Sequence, residues 1–329
     1  MNQSHIPVSL ESIRAPIAAD MLAVDEVIRK RLSSEVALVR TIADYIIAAG
    51  GKRLRPALLM LSANAVGATG PIRHEFATVI EFIHTATLLH DDVVDESSLR
   101  RGRRTANAEF GNAASVLVGD FLYSRAFQMM VAAGNLRVMQ VLSDATNVIA
   151  EGEVLQLLNV HDPDTNEDSY LRVIRYKTAK LFEAATQVGA ILGNAPPEIE
   201  HALAEFGMHL GTAFQVIDDV LDYSGDLAET GKNLGDDLAE GKPTLPLIRA
   251  IQVGTAAEKA LVRRAIVEGG KADLDAVVAA INRTGALDYA RDCARREAAI
   301  ATARLERLPD SACKDSLLQL AHFSVERKY

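Results

Sequence analysis

Two short acidic runs carry the clearest chemistry in this 329-residue chain: Asp91-Asp92-Val93-Val94-Asp95 and Asp218-Asp219-Val220-Leu221-Asp222. Helical residues four apart differ by about 40° around the axis, so Asp91 and Asp95 share a face, as do Asp218 and Asp222. Each run follows an apolar stretch, which puts the acids where a helix leaves a core. Two such faces turned toward one cavity would gather roughly five or six carboxylates, which stay ionised together only with counter-ions. Hard divalent cations meet that need, and Mg²⁺ commonly shares a few carboxylates with phosphate oxygens and water. The pair points to a metal site that is incomplete until a diphosphate arrives. A solvated helix end also explains a single acidic run. It explains two less well, because acids at a helix C-terminus oppose the macrodipole. A di-iron bundle is a second metal reading; it would need paired Glu-x-x-His motifs of the kind Glu81 and His84 form.

Diphosphate also needs cationic donors. Gly50-Gly51-Lys52-Arg53-Leu54-Arg55-Pro56 offers them at a helix start, where free backbone N–H groups favour anions. The order of a P-loop is absent. His84 lies seven residues before Asp91 and within about 20° of its face, which makes it a phosphate ligand or an ordinary structural histidine. Arg100-Arg101-Gly102 follows the first acidic run, and arginine forks suit bidentate phosphate contact. Lys177-Thr178 falls in a long helical pattern, Gln215 precedes Asp218 by three residues, and Lys232 and Lys242 flank the loop after the second run. Each lysine taken singly reads as a surface charge; the grouping around the two acidic runs gives them meaning.

The elements that must position these groups are helical. Ile17, Met21, Val24, Ile28, Leu32 and Val36 keep the spacing of one helix face over 17–48. Further helices are expected at 72–95, 109–132, 136–160, 167–193 and 197–224, with Gly134-Asn135, Asp162-Pro163-Asp164 and Asn194 to Pro197 as punctuation. A polar loop follows at Ser224–Lys242, then four shorter helices from Thr244 to about Arg327. No segment alternates apolar and polar residues, so no significant sheet is expected. One all-α domain over 1–329 is preferred, with 1–15 loosely ordered.

Composition excludes several classes. The net charge is −9, unlike the basic field of a general nucleic-acid binder. Cys293 and Cys313 lack partners at metal-ligand spacing, as reduced thiols of a cytoplasmic protein would. Neither a signal peptide nor an apolar run of about 20 residues for a membrane span is found.

The constellation resembles the trans-isoprenyl diphosphate synthases. The match runs in order through Gly50–Pro56, His84, Leu89–Asp95, Arg100–Gly102, Lys177-Thr178, Gln215–Asp222, and Gly231-Lys232-Asn233 to Gly241-Lys242-Pro243-Thr244, covering roughly residues 20–325. Glu81–Glu96, Gly111–Met130 and Ala150–Leu158 look like bacterial octaprenyl-type long-chain synthases, which make the side-chain precursor of ubiquinone or menaquinone. The resemblance implies an isoprenoid-synthase helical bundle around a central deep cavity, usually homodimeric, working in the cytoplasm with transient membrane contact for product release. It implies about three Mg²⁺ ions, with Asp91 and Asp95 binding two and Asp218, beside Asp219 and Asp222, a third. Asp92 and Asp219 join the catalytic set with Lys177. Arg100, Lys177, Thr178, Gln215, Lys232 and Lys242 are implied at the allylic diphosphate. Lys52, Arg55, His84 and Arg101 are implied at isopentenyl diphosphate, and Asp236 acts through metal-bound water. The reaction implied is ionisation of the allylic C–O bond and attack by the isopentenyl double bond, repeated to about C40–C45.

Product length should follow from residues below the first acidic run. Thr87 lies one turn below Asp91, with Ala86 beside it; both are small, so a growing tail can pass. Ile83, Ile80, Phe127, Met130 and Val131 are candidates for the deeper wall, though each also reads as ordinary core. Three rivals remain open: a terpene cyclase, a non-catalytic partner subunit of a heteromeric synthase, and a helical scaffold with incidental acids. The first typically lacks the Gly50–Pro56 and Arg100-Arg101 features, and the second would be expected to lose one acidic run. Magnesium-dependent binding of a diphosphate analogue separates the third from an enzyme.

Overall fold

The computed structural model describes residues 9–48, 50–100, 102–224 and 234–327. Among the described residues the architecture is helical, with one two-stranded hairpin. The first five helices are α1 (Leu10–Arg14), α2 (Ala18–Arg31), α3 (Ala37–Ala48), α4 (Leu54–Ala65) and α5 (Ile72–Val94). The hairpin pairs β1 (Leu99–Arg100) with β2 (Arg103–Arg104). Then come α6 (Ala106–Phe110), α7 (Asn112–Ala133), α8 (Leu136–Asn159) and α9 (Glu167–Ile174). A π-helical turn at Arg175–Ala179 leads into α10 (Lys180–Leu192), and α11 (Pro197–Ser224) is the longest helix described. The remainder holds α12 (Asp236–Ala239), α13 (Leu245–Val253), α14 (Ala256–Glu268), α15 (Leu274–Arg283), α16 (Ala286–Arg304) and α17 (Ala312–Glu326).

Three sequence expectations change. The pattern over 17–48 is two helices, because the chain breaks between Arg31 and Ala37. Ser33 Oγ donates to Lys30 O at 2.9 Å, and Ser34 Oγ accepts from Val36 N–H at 3.2 Å. Such local bonds compete with the helical ladder, and Val36 ends up exposed. The segment 1–15 is not loose where it is described. Ser9 and Ser12 form a capping box that starts α1, and Ile13 is buried. Five helices, not four, follow Thr244, since Gly254 and the Thr255–Glu258 capping box divide α13 from α14.

Buried apolar residues recur at three- and four-residue spacing on α5, through Phe76, Ile80 and Ile83, the stripe of a core-facing helix. α5 packs along α7; α10 packs on α4 and α11; α11 packs on α16. The buried residues form two clusters, and α11 runs through both. Leu203, Phe206 and Leu210 join the first; Val216, Ile217 and Val220 join the second. The first acidic run thus leaves one cluster at the end of α5, and the second leaves the other at the end of α11.

α5 stops in a Schellman turn. Ser97 N–H reaches Asp92 O at 3.0 Å, and Glu96 takes φ +51°, where glycine is usual. This strained turn feeds the hairpin that folds Arg100 back toward the acids.

Candidate active site

The five residues of the first acidic run point different ways. Asp92, only 4% exposed, turns inward and accepts from Arg100 Nε at 2.9 Å and Nη2 at 2.6 Å. Burial pushes the Asp92 carboxyl up, Arg100 opposes this, and Asp91 and Asp95 add to it. Asn107 Nδ2 donates to Asp92 O and Ser97 O, fixing the turn from the other side. Asp91 and Asp95 face cations instead. Lys177 Nζ lies 3.4 Å from Asp91 Oδ2 and 2.6 Å from Glu153 Oε2. Lys242 Nζ lies 2.8 Å from Asp95 Oδ2 and 2.5 Å from Glu240 Oε2. Burial disfavours both ammonium charges, but the surrounding carboxylates outweigh it and hold both lysines above the usual range. Burial carries Glu153 up to about 7 even against Lys177.

The second run repeats the division. Asp219, 3% exposed, accepts from Tyr170 OH at 2.6 Å and Gln215 Nε2 at 2.8 Å. That pair fixes the Gln215 amide so that its Oε1 accepts from Thr178 Oγ1 at 3.1 Å. Burial, then Asp237, drives the Asp219 carboxyl well above the carboxylate range. Asp222 accepts the backbone N–H groups of Asp236 and Asp237, each at 3.2 Å, and so starts α12. Asp218 meets Arg327, whose Nη2 donates to Phe214 O at 2.7 Å and Asp218 Oδ1 at 3.2 Å. The Arg327 guanidinium also stacks over the Phe214 ring at 3.8 Å.

Among the described residues no three His, Cys, Asp or Glu side chains converge as a metal cage. The middle aspartates turn into the protein, since a one-residue step rotates a side chain by about 100°. Asp91, Asp95 and Asp218 meet lysine or arginine, and Asp222 accepts backbone N–H groups.

The second basic group assembles beside α5. Arg55 Nη1 donates to His84 Nε2 at 3.0 Å, and its guanidinium lies 4.6 Å from the Phe182 ring centre. Arg53 adopts a left-handed φ of +42° and pairs with buried Glu81, which aims the start of α4. Lys52 is half-buried in the segment just before. Arg101 and Lys232, both expected at the site, lie outside the described residues.

Lys177 and Thr178 ride on the π-helical turn, which re-aims side chains relative to a regular helix. Gly152 on α8 permits it: a Cβ there would stand 2.6 Å from Lys177 N. Arg175, at the turn's start, reaches Glu297 Oε1 at 3.1 Å, and His209 Nδ1 meets Glu297 Oε2 at 2.5 Å. Below the acids, Ala86, Ile83 and Met130 are fully buried and Thr87 is half-buried. Phe127 and Val131 face outward, so they do not wall the interior; Ala126 and Met130 take that face of α7.

Glu153, Glu240, Tyr170 and Arg327 were missed from the sequence. Glu153 sits within Ala150–Leu158, yet a lone glutamate on a helix carries no local signal. Arg327 reaches Asp218 from 109 residues away.

The sequence profile of the polyprenyl synthetase family matches residues 36–283. The octaprenyl diphosphate synthase of Escherichia coli K12 is 54% identical over 320 residues, 97% of this chain and 99% of that protein. Polyprenyl synthase from Caulobacter crescentus CB15, solved with calcium and isoprenyl diphosphate, superposes with a TM-score of 0.94 at 44% identity, covering 98% of both chains. A decaprenyl diphosphate synthase from Rhodobacter capsulatus gives 0.92 at 48% identity, covering 98% of this chain and all of that one. With its helical fold and paired aspartate runs, the chain belongs to the polyprenyl synthetase family of prenyltransferases.

Proposed function

We propose that this chain is a long-chain all-trans-polyprenyl diphosphate synthase, condensing isopentenyl diphosphate repeatedly onto farnesyl or a similar allylic diphosphate. The carrying observation is that three cations from separate parts of the chain, Arg100, Lys177 and Lys242, meet the three aspartates of one helix end. That is an anion-binding mouth whose own carboxylates can trade partners.

Hard oxygen donors at Asp91, Asp95 and Asp218 suit Mg²⁺, an ion that keeps phosphate and water in its shell. About three such ions, when bound, would neutralise charge developing on the departing diphosphate. Arg100, Lys177, Lys242 and Lys232 hold the allylic diphosphate. Lys52, Arg55, His84 and Arg101 hold isopentenyl diphosphate alongside. The allylic C–O bond breaks, its electron pair leaving with the diphosphate. The isopentenyl double bond then forms the new C–C bond, and a proton leaves to pyrophosphate. Thr178 and the Gln215 amide, locked by Asp219, line the reacting unit. The protein supplies placement and charge, not a nucleophile.

The tail extends toward the N-terminal end of α5, past Thr87 and Ala86, to a product of about C40–C45 for a quinone side chain. Its octaprenyl relative supports that length. The enzyme works in the cytoplasm as a homodimer, touching the membrane to release product. Exposed apolar side chains on α7 and α8, including Leu117, Val131, Leu157 and Leu158, offer the subunit face. Among the described residues no helix is long and apolar enough to cross a membrane. Purified protein incubated with Mg²⁺, isopentenyl diphosphate and farnesyl or geranylgeranyl diphosphate should yield long products that EDTA abolishes. No elongation from either primer overturns the reading.

A further inference from the structure

The two lysines at the mouth share an arrangement that neither acidic run accounts for. Each ammonium lies between one aspartate of the first run and one glutamate outside both runs, and is nearer the glutamate. For Lys177 the distances are 2.6 Å to Glu153 and 3.4 Å to Asp91. For Lys242 they are 2.5 Å to Glu240 and 2.8 Å to Asp95. The glutamates come from unrelated places, α8 and the turn after α12. Glu153 Oε1 is buried and makes no hydrogen bond among the described residues. Its opposing charge comes from Lys177. A carboxylate placed in such surroundings is costly unless its cation stays with it.

We infer that Glu153 and Glu240 are positioning residues that keep Lys177 and Lys242 at the mouth while Asp91 and Asp95 exchange those lysines for a divalent cation. The inference rests on the proposed diphosphate role of the lysines. Without the glutamates, Lys177 keeps Asp91 and Lys242 keeps Asp95, with Asp237 nearby, and each lysine competes with the cation for its aspartate. With them, the lysine gives up the aspartate at little cost and remains within reach of the incoming diphosphate. Lysine suits this better than arginine, since its ammonium is a point charge on a flexible stem that can share acceptors.

The test uses the full chain and titration calorimetry with Mg²⁺ and inorganic pyrophosphate. It compares wild type, Glu153→Gln, Glu240→Gln, Lys177→Met and the Glu153→Gln/Lys177→Met double variant. Each glutamine variant should bind the Mg²⁺–pyrophosphate pair about tenfold more weakly, the factor expected from one hydrogen bond between charged groups. In the Lys177→Met background, Glu153→Gln should cost nothing further, because the glutamate acts through the lysine. Glu240 lies in a partly exposed turn, so Glu240→Gln keeps the test decisive if Glu153→Gln folds poorly. Wild-type affinity in a folded glutamine variant overturns the inference. So does an equal loss from Glu153→Gln with and without Lys177. Lys177→Met binding like wild type removes the lysine's diphosphate role and this inference with it. If the cycle holds but the wild type fails to elongate any primer, the positioning stands and the synthase reading falls.

Discussion

At the scale of single residues, the two acidic runs divide labour in the same way. The first and last aspartates meet charges or backbone N–H groups, and the middle one anchors a neighbour. Asp92 holds Arg100 through two donors on one oxygen, and Asp219 holds Gln215. Arg100 depends on its fork, with Nε and Nη2 both committed to Asp92. Arg100→Lys keeps the charge but not this geometry. It should raise the KM for the allylic diphosphate by roughly tenfold or more and leave the KM for isopentenyl diphosphate near wild type. Steady-state kinetics with each substrate varied in turn checks this.

At the scale of elements, the π-helical turn at Arg175–Ala179 is the part most finely set. Gly152 lets α8 approach Lys177 N, where a Cβ would stand at 2.6 Å. Gly152→Ala must push the turn away and carry Lys177 and Thr178 with it. A displacement of about 1 Å costs on the order of a hundredfold in turnover, so kcat should collapse while far-UV circular dichroism stays near wild type. The other end of the turn is tied through Arg175 to Glu297, which also meets His209. Burial opposes the Glu297 charge, but His209 and Arg175 outweigh it and hold the carboxyl below its usual 4.5. A carboxyl depressed on folding adds stability above its unfolded pKa and loses it as pH falls through the folded one. Glu297→Gln should therefore lower the urea midpoint at pH 7, and the difference should close as pH falls below the usual 4.5 of a glutamate and through the depressed folded-state value.

At the scale of the whole molecule, the site sits where the ends of two long helices and three distant segments meet, and the interior beneath it is apolar. Ala86 is fully buried below Asp91. Ala86→Phe should shorten the product, read by sizing the chains; an unchanged length moves the tail's path elsewhere. Overpacking of this kind typically costs about 1–3 kcal/mol, so a lowered thermal midpoint should accompany the change. The exposed apolar face on α7 and α8 is suited to burial in a dimer, since Leu157 and Leu158 are 62% and 70% exposed. Leu157→Asp should shift the protein toward monomer in analytical ultracentrifugation, because a charge buried there would lack a partner.

Much of the fold was legible in the chain. Helical spacing located α5, α7, α8 and α11 to within a few residues, because long amphipathic or apolar helices write their period directly into sequence. The break at Ser33-Ser34 was not legible, because side-chain bonds to the local backbone interrupted a pattern that the apolar residues kept. The acidic runs and Arg100 could be named from residue type and spacing, since a diphosphate site needs charge of both signs, whereas Lys177 was implied by the family resemblance. Tertiary structure alone decided which aspartate turns inward, that Glu153 and Glu240 hold the lysines, and that Arg327 meets Asp218. Glu240 and Lys242 are near neighbours in the chain, but the other contacts join separated residues, and only packing brings their charges within bonding distance.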